Sequence, residues 1–462
     1  MKKIDTKVNA EILSTGDEVL WGDIDDTNSS WLSRRLWELG VEVRRVSCVG
    51  DCIEDIAGII KEISLRGASA GSDEPCTDIV LVTGGLGPTS DDLSAEAAAA
   101  ASGDILELNQ SALTSMRAYF TKRDWNLSDD NIKQAMLPSR AGVMDNRHGT
   151  APGFYVEIDK TIFFFMPGVP KEMKPMFEQS VIPFIKERFL KNSPEIADDK
   201  HLITRFKLFG LPESKVGSRL KGFNQEFPLL KLGFRASIPI IEVKFSGRQS
   251  DFNAADRDKD LSVRVKNSPD LSIESSMADA GKWIKERLGE YIFSYTGLEM
   301  EQELGRLLTL KKMTVAVAES CTGGLIGSKL TDVAGSSDYF LMSAVTYSND
   351  AKIKILGVNP DTLIKYGAVH EQTAKEMAIG VMKVSGADYG VATSGIAGPG
   401  GGTADKPVGT VCIGIASKNR DGQISATSSR HLFTYGDRTM NKRMFAVKAM
   451  DILRREAAMI DS

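Results

Sequence analysis

The feature that most constrains the fold is an alternation of short apolar runs with longer amphipathic segments at both ends of the chain. Between residues 7 and 190 it runs from KVNAEILS and SSWLSRRLWELG to KTIFFFMPG and KEMKPMFEQSVIPFIKERFL. It returns between residues 296 and 462, from TVAVAES to the closing segment DRTMNKRMFAVKAMDILRREAAM. Strands that alternate with helices predict parallel sheets covered by helices. We therefore expect an α/β protein with two three-layer α/β domains.

The central part of the chain has a different pattern. HLITRFKLFG, PESKVGSRLKGF and LKLGFRASIPIIEVKFSGR predict a strand, a helix and a hairpin, and DFNAADRDKDLSVRVKNSPD is highly charged. No catalytic constellation is visible there. We predict a small α+β connector module, which gives three parts with boundaries at residues 1–190, 195–295 and 296–462.

Composition excludes several classes of protein. The net charge of −5 argues against a nucleic-acid-binding surface spread over the whole chain. The five cysteines do not resemble a disulfide framework, and no second Cys or His pair accompanies Cys48 and Cys52 at zinc-binding spacing. No segment approaches about 18 uninterrupted apolar residues, and MKKIDTKVNAEIL is a poor signal peptide. We expect a cytoplasmic protein with neither a membrane nor a nucleic acid as its partner.

A glycine-rich loop, TGGLGPTSDD, follows the apolar run DIVLV. Its glycines allow the backbone to approach a ligand, and the helix predicted after it has N–H groups that can bind an anion. Asp91 and Asp92 would repel a phosphate unless a divalent cation lay between them, and the alternative is that they cap the helix. The loops STGDEVLWGD, CVGD, HGTAPG and MPGVPKEM are expected at the same sheet edge, where open α/β folds bind ligands.

TGDEVLWGDIDDTN, CVGD, TGGLGPTSDD, NIKQAMLP, NRHGTAPGF and MPGVPKEM together resemble the N-terminal molybdopterin-binding-like domain of the CinA (competence/damage-inducible protein A) family. The resemblance implies a MoaB/Mog-like fold and hydrolysis of ADP-ribose that depends on Mg²⁺, Mn²⁺ or Co²⁺. It implies that the metal and pyrophosphate lie at Asp17, Asp51, Asp91 and Asp92. It also implies a pocket formed by Gly84, Gly85, Gly87, Thr89, Asn131, Thr150 and Gly153. Ile132 and the Arg147-His148 pair depart from the family pattern.

A second constellation lies in VAVAESCTGGLIG, residues 315–327. Ser320 stands where a predicted strand turns into a helix, so a nucleophile there would be exposed at the sheet edge. The N–H groups of Cys321 and Thr322, at the predicted start of the helix, could stabilise an oxyanion. Lys352 is the candidate base, because a partly desolvated lysine can have a lowered pKa. Cys321 is the rival nucleophile, and the chemistry of the residues alone leaves the choice open.

The loop TSGIAGPGGGTADKPVGTV, residues 393–411, lies between two predicted strands. Its backbone N–H groups can wrap a phosphate, whereas the alternative is a flexible hairpin. Arg438, at the start of the last predicted helix, can add a phosphate contact. The predicted contacts within the loop are Gly395, Ile396, Ala397, Gly398 and Gly400.

AESCTGG, VTYSNDAK, YGAV, GIAGPGGG and DKPVGTV together resemble the C-terminal domain of the same family, the nicotinamide-nucleotide amidases. The resemblance implies hydrolysis of nicotinamide mononucleotide to nicotinate mononucleotide and ammonia without a cofactor. It implies that Ser320, rather than Cys321, is the nucleophile, with Lys352 as base and Tyr347 nearby. Cys321, Thr322 and Gly323 would contact the substrate. His370 stands where the family has a serine.

The combined hypothesis is a bifunctional hydrolase that acts on two small nucleotides, nicotinamide mononucleotide and ADP-ribose. We expect it to form a homodimer. The alternative is a binding protein in which one or both sites have lost their chemistry, and which holds a pterin or a nucleotide in competence or the response to DNA damage.

Overall fold

The computed structural model describes residues 8–66, 76–190, 201–257, 272–418, 422–434 and 437–459. The chain divides into two compact units. The first comprises Met1–His201 and Arg248–Asn253, and the second comprises Leu202–Gly247 and Ala254–Ser462. Residues 258–270 of the highly charged segment DFNAADRDKDLSVRVKNSPD, which the sequence predicts to be exposed, lie outside the described residues.

The first unit contains a six-stranded sheet in the order β2-β1-β3-β8-β7-β6. Strands β1, β2, β3 and β8 are parallel, whereas β7 and β6 run antiparallel to their neighbours. The prediction of a parallel sheet is therefore confirmed for β1, β2, β3 and β8 and was wrong for the pairing of β7 with β8 and of β6 with β7. The cause is the tight turn at Asp159 and Lys160, since so short a connection can join only antiparallel strands. The strands are β1 (Asn9–Thr15), β2 (Glu42–Val49), β3 (Ile79–Thr83), β6 (Gly142–Met144), β7 (Gly153–Ile158) and β8 (Thr161–Met166), and β4 (Leu106–Leu108) pairs separately with β5 (Met136–Pro138).

Helices cover both faces of this sheet. Because side chains alternate along a strand, Leu13 faces one core with α3, α4 and α5, while Ile12 faces the other with α2 and α7. Two π-helical segments, Phe177–Val181 and Lys186–Leu190, continue α7 and α8 within KEMKPMFEQSVIPFIKERFL, a segment whose amphipathic pattern predicts one long helix. The helices are α1 (Asp17–Leu20), α2 (Thr27–Glu38), α3 (Ile53–Leu65), α4 (Ser94–Ser102), α5 (Gln110–Thr121), α6 (Asp129–Lys133), α7 (Pro170–Met176) and α8 (Ile182–Ile185).

The predicted connector contributes a four-stranded sheet, in the order β10-β11-β9-β12. The predicted hairpin is present as the antiparallel pair of β10 and β11. The strands are β9 (His201–Phe209), β10 (Lys231–Ser237), β11 (Ile240–Arg248) and β12 (Ile292–Ser294), with helices α9 (Glu213–Arg219), α10 (Phe223–Glu226), α11 (Gln249–Arg257) and α12 (Ile273–Leu288). The three-part division of the chain stays a prediction.

The last part of the second unit is a five-stranded sheet in the order β14-β13-β15-β16-β17. Strand β13 is parallel to β14 and β15, and β16 and β17 are antiparallel additions. The strands are β13 (Val315–Glu319), β14 (Phe340–Val345), β15 (Tyr389–Gly395), β16 (Thr410–Lys418) and β17 (Ile424–Leu432). The parallel strands end together at one edge of the sheet.

Helices again cover both faces, which confirms the predicted three-layer α/β fold. Val315 and Val317 face a core with α13, α14 and α18, whereas Ala316 and Ala318 face α15, α16 and α17. The helices are α13 (Met300–Lys311), α14 (Leu325–Thr331), α15 (Asn349–Leu356), α16 (Pro360–Tyr366), α17 (Glu371–Ser385) and α18 (Arg438–Met459), with a 3₁₀ turn at Ser336–Asp338. In the described parts of both units, no helix combines the length and the apolar character needed to cross a membrane.

Candidate active sites

The end of β13 brings Ser320 next to Lys352. The register of the parallel strands sets Glu319 beside Val345 and Thr393, so the loops that follow all three strands start at the same edge. The Ser320 N–H donates to the Thr393 carbonyl at 3.0 Å, which fixes the turn. Lys352 Nζ then lies 3.3 Å from Ser320 Oγ, although 32 residues separate the two in the chain.

The environment of Lys352 suits a base. The residue is 0% exposed, and this burial lowers the pKa of its amine. Its Nζ lies 2.9 Å from the Thr346 carbonyl oxygen and 3.1 Å from that of Tyr347. A neutral amine has two N–H bonds and one lone pair. When the two carbonyls accept its N–H groups, the lone pair can point to Ser320 Oγ and receive the hydroxyl proton.

Cys321, the rival nucleophile, is a poor match for this chemistry. It is buried in the hydrophobic core that includes Ile326 and Val317. Burial raises the pKa of the Cys321 thiol to about 12. Because the thiolate is the reactive form, a thiol that stays protonated at neutral pH is a poor nucleophile. The geometry therefore favours Ser320.

The turn after Ser320 differs from the predicted strand-to-helix junction. Helix α14 begins only at Leu325, because Gly323 and Gly324 adopt left-handed conformations with φ of 61° and 91°. Cys321 and Thr322 therefore precede the helix, and the prediction that they form its start was wrong. Among the described residues, none accepts a hydrogen bond from their N–H groups, so both can still serve an oxyanion.

Glu319 occupies the position at the helix N-terminus that we had predicted for the oxyanion. Its carboxylate is fully buried and accepts hydrogen bonds from the N–H groups of Gly324, Ile326 and Gly327 at 2.8, 3.2 and 2.9 Å. The Ser343 hydroxyl donates a fourth at 2.9 Å. A carboxylate at a helix N-terminus is favoured by the helix dipole and by the unpaired N–H groups there. Glu319 thereby fixes the turn that carries Ser320.

The glycine-rich loop is held by the start of α18. Arg438 Nη1 donates to the Gly398 carbonyl at 2.7 Å, and Nη2 lies 3.4 Å from the Tyr347 hydroxyl. The buried Asn441 donates through Nδ2 to the Ala397 carbonyl at 3.0 Å. Arg438, Tyr347 and the loop are therefore brought together, as the sequence predicted, although Arg438 binds a main-chain carbonyl.

The predicted loop residues are not equally available to a ligand. The Ile396 N–H donates to the Thr410 carbonyl, and a Cβ on Gly395 would lie 2.5 Å from that same oxygen. The main chain at these two positions is engaged by β16, whereas Gly400 is exposed with open space around it. Thr322 is buried, and its hydroxyl lies 2.8 Å from that of Thr393.

Sequence reasoning missed Asn441 and Lys442. Lys442 is half-buried, and its Nζ lies 3.6 Å from the place that a Cβ on Gly323 would take. Positions three and four residues after Arg438 share its helix face, so helical spacing could have revealed both. His370, the departure from the family pattern, is the N-cap of α17: its Nδ1 accepts the Gln372 N–H at 3.0 Å.

The first unit contains a cavity of about 580 Å³ at the carboxyl ends of β1, β2, β3 and β8. The loops that the sequence assigned to one sheet edge do meet there. Seven predicted residues line the cavity: Asp51, Gly84, Gly85, Gly87, Asp91, Asp92 and Thr150. Glycine is required at residue 84, since a Cβ would lie 2.2 Å from the Thr15 carbonyl oxygen.

The other four predicted residues do not line this cavity. The Asp17 carboxylate accepts the Asp51 N–H at 3.2 Å, and the Asp51 carboxylate accepts the Asp17 N–H at 3.1 Å. Thr89 donates its N–H and its hydroxyl to Asp92. Asn131 forms a capping box with Ser128 at the start of α6, and Gly153 packs against Met176 and Phe165.

The aspartates are not gathered into a single ligand cluster. In the described part of the chain, no group of three or more His, Cys, Asp or Glu side chains is placed to hold a metal ion. The capping alternative for Asp91 and Asp92 was wrong, because the N-cap of α4 is Leu93. Asp92 instead closes its own loop through Thr89.

The lining of the cavity is nevertheless strongly acidic. It includes seven carboxylates and, among the described residues, no lysine or arginine: Glu18, Asp25, Asp26, Asp51, Asp91, Asp92 and Glu172. Burial raises the pKa of Asp51, and the charges of Asp17, Glu18 and Asp91 raise it further. An excess of carboxylates that repel one another is a donor set suited to a hard divalent cation. The lining therefore supplies the type of oxygen donor that such an ion needs, although its described side chains do not converge on one point.

Two amides in the lining escaped the sequence analysis. Gln134 Nε2 donates to the Leu86 carbonyl at 3.0 Å, and Asn28 Nδ2 donates to the Gly168 carbonyl at 2.6 Å. Lys133 supports the same loop, because its Nζ lies 3.1 and 2.8 Å from the carbonyl oxygens of Thr89 and Asp92. Gln134 and Lys133 belong to NIKQAMLP. The sequence analysis singled out this segment but not the two residues in it that hold the glycine-rich loop.

The two departures from the family pattern lie away from the cavity. Ile132 packs against the core under α3 to α5, and His148 is exposed. Neither contributes to the lining.

Comparison with known proteins identifies both units. The CinA C-terminal domain matches residues 298–457, and a probable molybdopterin binding domain matches residues 11–187. A CinA-like protein of Desulforapulum autotrophicum is 46% identical over 97% of this chain and 98% of its own length. A CinA-like protein of Geobacter metallireducens is 37% identical over 96% of this chain and 98% of its own.

A solved structure matches a single part of the chain. The crystal structure of competence/damage inducible protein CihA from Agrobacterium tumefaciens is 39% identical and covers 35% of this chain and 98% of that one, with a TM-score of 0.32. The two full-length relatives, by contrast, span both units. The chain therefore belongs to the CinA family.

Proposed function

We propose that the second unit is an amidase that releases ammonia from the carboxamide of nicotinamide mononucleotide. The observation that carries this proposal is the buried amine of Lys352, 3.3 Å from Ser320 Oγ at the edge of the sheet. A lysine in this setting has few structural uses, since its burial disfavours the charged form. A nucleophile with an adjacent base is the arrangement that covalent catalysis requires.

The reaction follows from these two groups. Lys352 Nζ accepts the Ser320 hydroxyl proton while Oγ bonds to the carboxamide carbon. The N–H groups of Cys321 and Thr322 stabilise the resulting oxyanion. The C–N bond then breaks, and Lys352 returns the proton to the leaving amine, which departs as ammonia. Water, deprotonated by the same lysine, attacks the acyl-enzyme, so that nicotinate mononucleotide leaves and Ser320 regains its proton.

The substrate phosphate needs positive charge beyond the reaction centre. Arg438 and Lys442 are the cations that the start of α18 directs to the glycine-rich loop and to the Ser320 turn. The exposed residues around Gly400 supply main-chain N–H groups next to them. We assign the phosphate to this side of the site and the carboxamide to Ser320 and Lys352.

The test is ammonia release from nicotinamide mononucleotide by the full-length protein. Lys352→Met should lower kcat by two to four orders of magnitude, the usual effect of losing a general base. Lys354→Met is the matched control, since Lys354 lies on the same helix with a side chain that is 77% exposed. Equal activity of wild type and Lys352→Met, or no ammonia release by wild type, would refute the assignment.

For the first unit we propose hydrolysis of ADP-ribose in the acidic cavity. The supporting observation is that the lining carries many carboxylates, whereas its described residues include no basic side chain. A pyrophosphate can enter such a cavity only together with cations. Asp51 and Asp91 are the residues that would hold a divalent cation, and such an ion would polarise the pyrophosphate and activate water. Lys133 and Gln134 hold the glycine-rich loop in position for the phosphates through hydrogen bonds to its main-chain carbonyls.

This second proposal is tested with ADP-ribose and Mn²⁺, with and without EDTA. Release of AMP that EDTA abolishes would support a hydrolase. Tight binding of ADP-ribose without turnover would instead favour the alternative, a unit that holds a nucleotide or pterin. Sedimentation of the same sample tests the expected homodimer.

A further inference from the structure

The amides of Gln134 and Asn28 are each half satisfied. Both use their NH₂ group on a main-chain carbonyl, Leu86 for Gln134 and Gly168 for Asn28. Their oxygens, Gln134 Oε1 and Asn28 Oδ1, are buried and have no hydrogen-bond partner among the described residues. Both side chains line the cavity of the first unit.

This situation is unusual for buried polar atoms. Nearly all such atoms in folded proteins have partners, because an unpaired buried acceptor loses its hydration without compensation. Gln134 is 7% exposed, so bulk water does not replace the missing donor. Reversing the amide does not help, since the nitrogen would then lose the Leu86 carbonyl. Two acceptors, one in α2 and one directly after α6, are thus left without donors at one cavity.

We propose that Gln134 and Asn28 are ligand-binding residues that accept hydrogen bonds from neutral donor groups of the nucleotide. This inference rests on the proposed binding of ADP-ribose in the cavity. Ionised phosphates carry no donors, so the partners are sugar hydroxyls or the amino group of the base. The carboxylates would hold the cation that accompanies the pyrophosphate, and the two amides would recognise the uncharged parts of the nucleotide.

The prediction also concerns specificity. A site whose buried acceptors are paired only by the correct ligand discriminates strongly against analogues that lack the donor. The contacts of the ligand with the rest of the cavity do not involve the donor group that pairs with the amide. Removal of either the amide or the matching donor should therefore have the same effect, and removal of both should add little.

The experiment measures binding by calorimetry to the full-length protein with Mn²⁺ present, and each probe carries a methylene group in place of the bridging pyrophosphate oxygen so that it cannot be hydrolysed. Gln134→Met and Asn28→Leu replace each amide by an apolar side chain of similar size, and Gln110→Met is the control at an exposed glutamine. The probes are these methylene-bridged forms of ADP-ribose, of its 2′,3′-dideoxyadenosine analogue, of its hypoxanthine analogue, and of ADP, which lacks the terminal ribose. The analogues distinguish the two sugars and the base as the source of the donor.

We expect each variant to bind ADP-ribose about three- to tenfold more weakly, the range for one lost hydrogen bond. For each variant, at least one analogue should bind equally well to the variant and to wild type. Equal weakening with every probe would mean that the amides only hold the loops, and no weakening would mean that ordered water pairs them. Either result overturns the inference. If wild type fails to bind ADP-ribose, the proposed function of the first unit falls, and this inference with it.

Discussion

The buried carboxylate of Glu319 should be essential for the turn that carries Ser320, and Glu319→Gln tests this with a single-atom change. Oε2 accepts from the N–H groups of Gly324 and Ile326, and Oε1 accepts from Gly327 N–H and the Ser343 hydroxyl. An amide has one oxygen, so its NH₂ group must face two of these donors. In the better orientation it faces Gly327 and Ser343, and the hydroxyl can rotate to accept.

The magnitude follows from what remains unpaired. In that orientation Gly327 N–H has no acceptor, which costs about 1–3 kcal/mol for a buried group. Loss of the negative charge weakens the interaction with the helix N-terminus by about 1 kcal/mol more. A neutral amide is easier to bury than a carboxylate, which offsets part of this. The two costs together come to about 2–4 kcal/mol before this offset, so we expect the free energy of unfolding of the second unit to fall by about 1–3 kcal/mol.

Calorimetric melting of the full-length protein measures the effect, since the transition of the second unit should move to lower temperature. Glu286→Gln is the matched control, because the Glu286 side chain is 75% exposed and should leave both transitions unchanged. Ser343→Ala, which removes one donor of the four, should cost less than Glu319→Gln. A Glu319→Gln protein that melts with wild type would refute the reasoning, because its hydrogen bonds would then contribute nothing to stability.

Three further predictions concern the chemistry. Ser320→Ala should abolish ammonia release while Cys321→Ala keeps most of it, and the reverse pattern would make Cys321 the nucleophile. Burial lowers the pKa of Lys352, and the base must be neutral to act. The kcat/KM of the amidase should therefore rise with pH, and the midpoint of this rise should lie below about 10.4, the ordinary pKa of a lysine. A midpoint at or above that value would contradict a desolvated base. Asp91→Asn should reduce Mn²⁺-dependent ADP-ribose hydrolysis at least tenfold without changing the melting temperature. Asp92→Asn should also loosen its loop, because it loses the Thr89 contacts. Normal hydrolysis by both variants would argue that the two aspartates are purely structural.

Local pattern was sufficient for much of the fold. The run VAVAE predicted β13, and the alternation of its side chains between two cores follows from the period of a strand. The direction in which strands pair is not written in such runs. GFYVEI and TIFFFM form a hairpin at the end of an otherwise parallel set, and only the short turn between them reveals this.

The site was predictable where single residues carry the chemistry. Ser320 was found because it stands where a strand ends in a turn, and Lys352 because a partly desolvated lysine can act as a base. The choice of Ser320 over Cys321 came from the family resemblance. Glu319 was overlooked as part of the site, since its partners are main-chain N–H groups that no sequence pattern displays. The same holds for Gln134, whose meaning depends on a carbonyl 48 residues away in the chain. Such main-chain partners can be identified only from the three-dimensional structure of the turns.

The buried amine of Lys352 links the stability of the second unit to proton concentration. Its pKa is lower in the folded protein than in the unfolded chain, so between those two values the unfolded chain binds more protons than the native one. By linkage, the contribution of this residue to folding becomes more favourable as pH rises through that interval. Below the interval the native fold carries the full penalty of a desolvated charge. Lys352 therefore destabilises the fold most when its amine is protonated, and the protonated amine cannot act as the base. Raising the pH increases both the stability of the second unit and its reactivity.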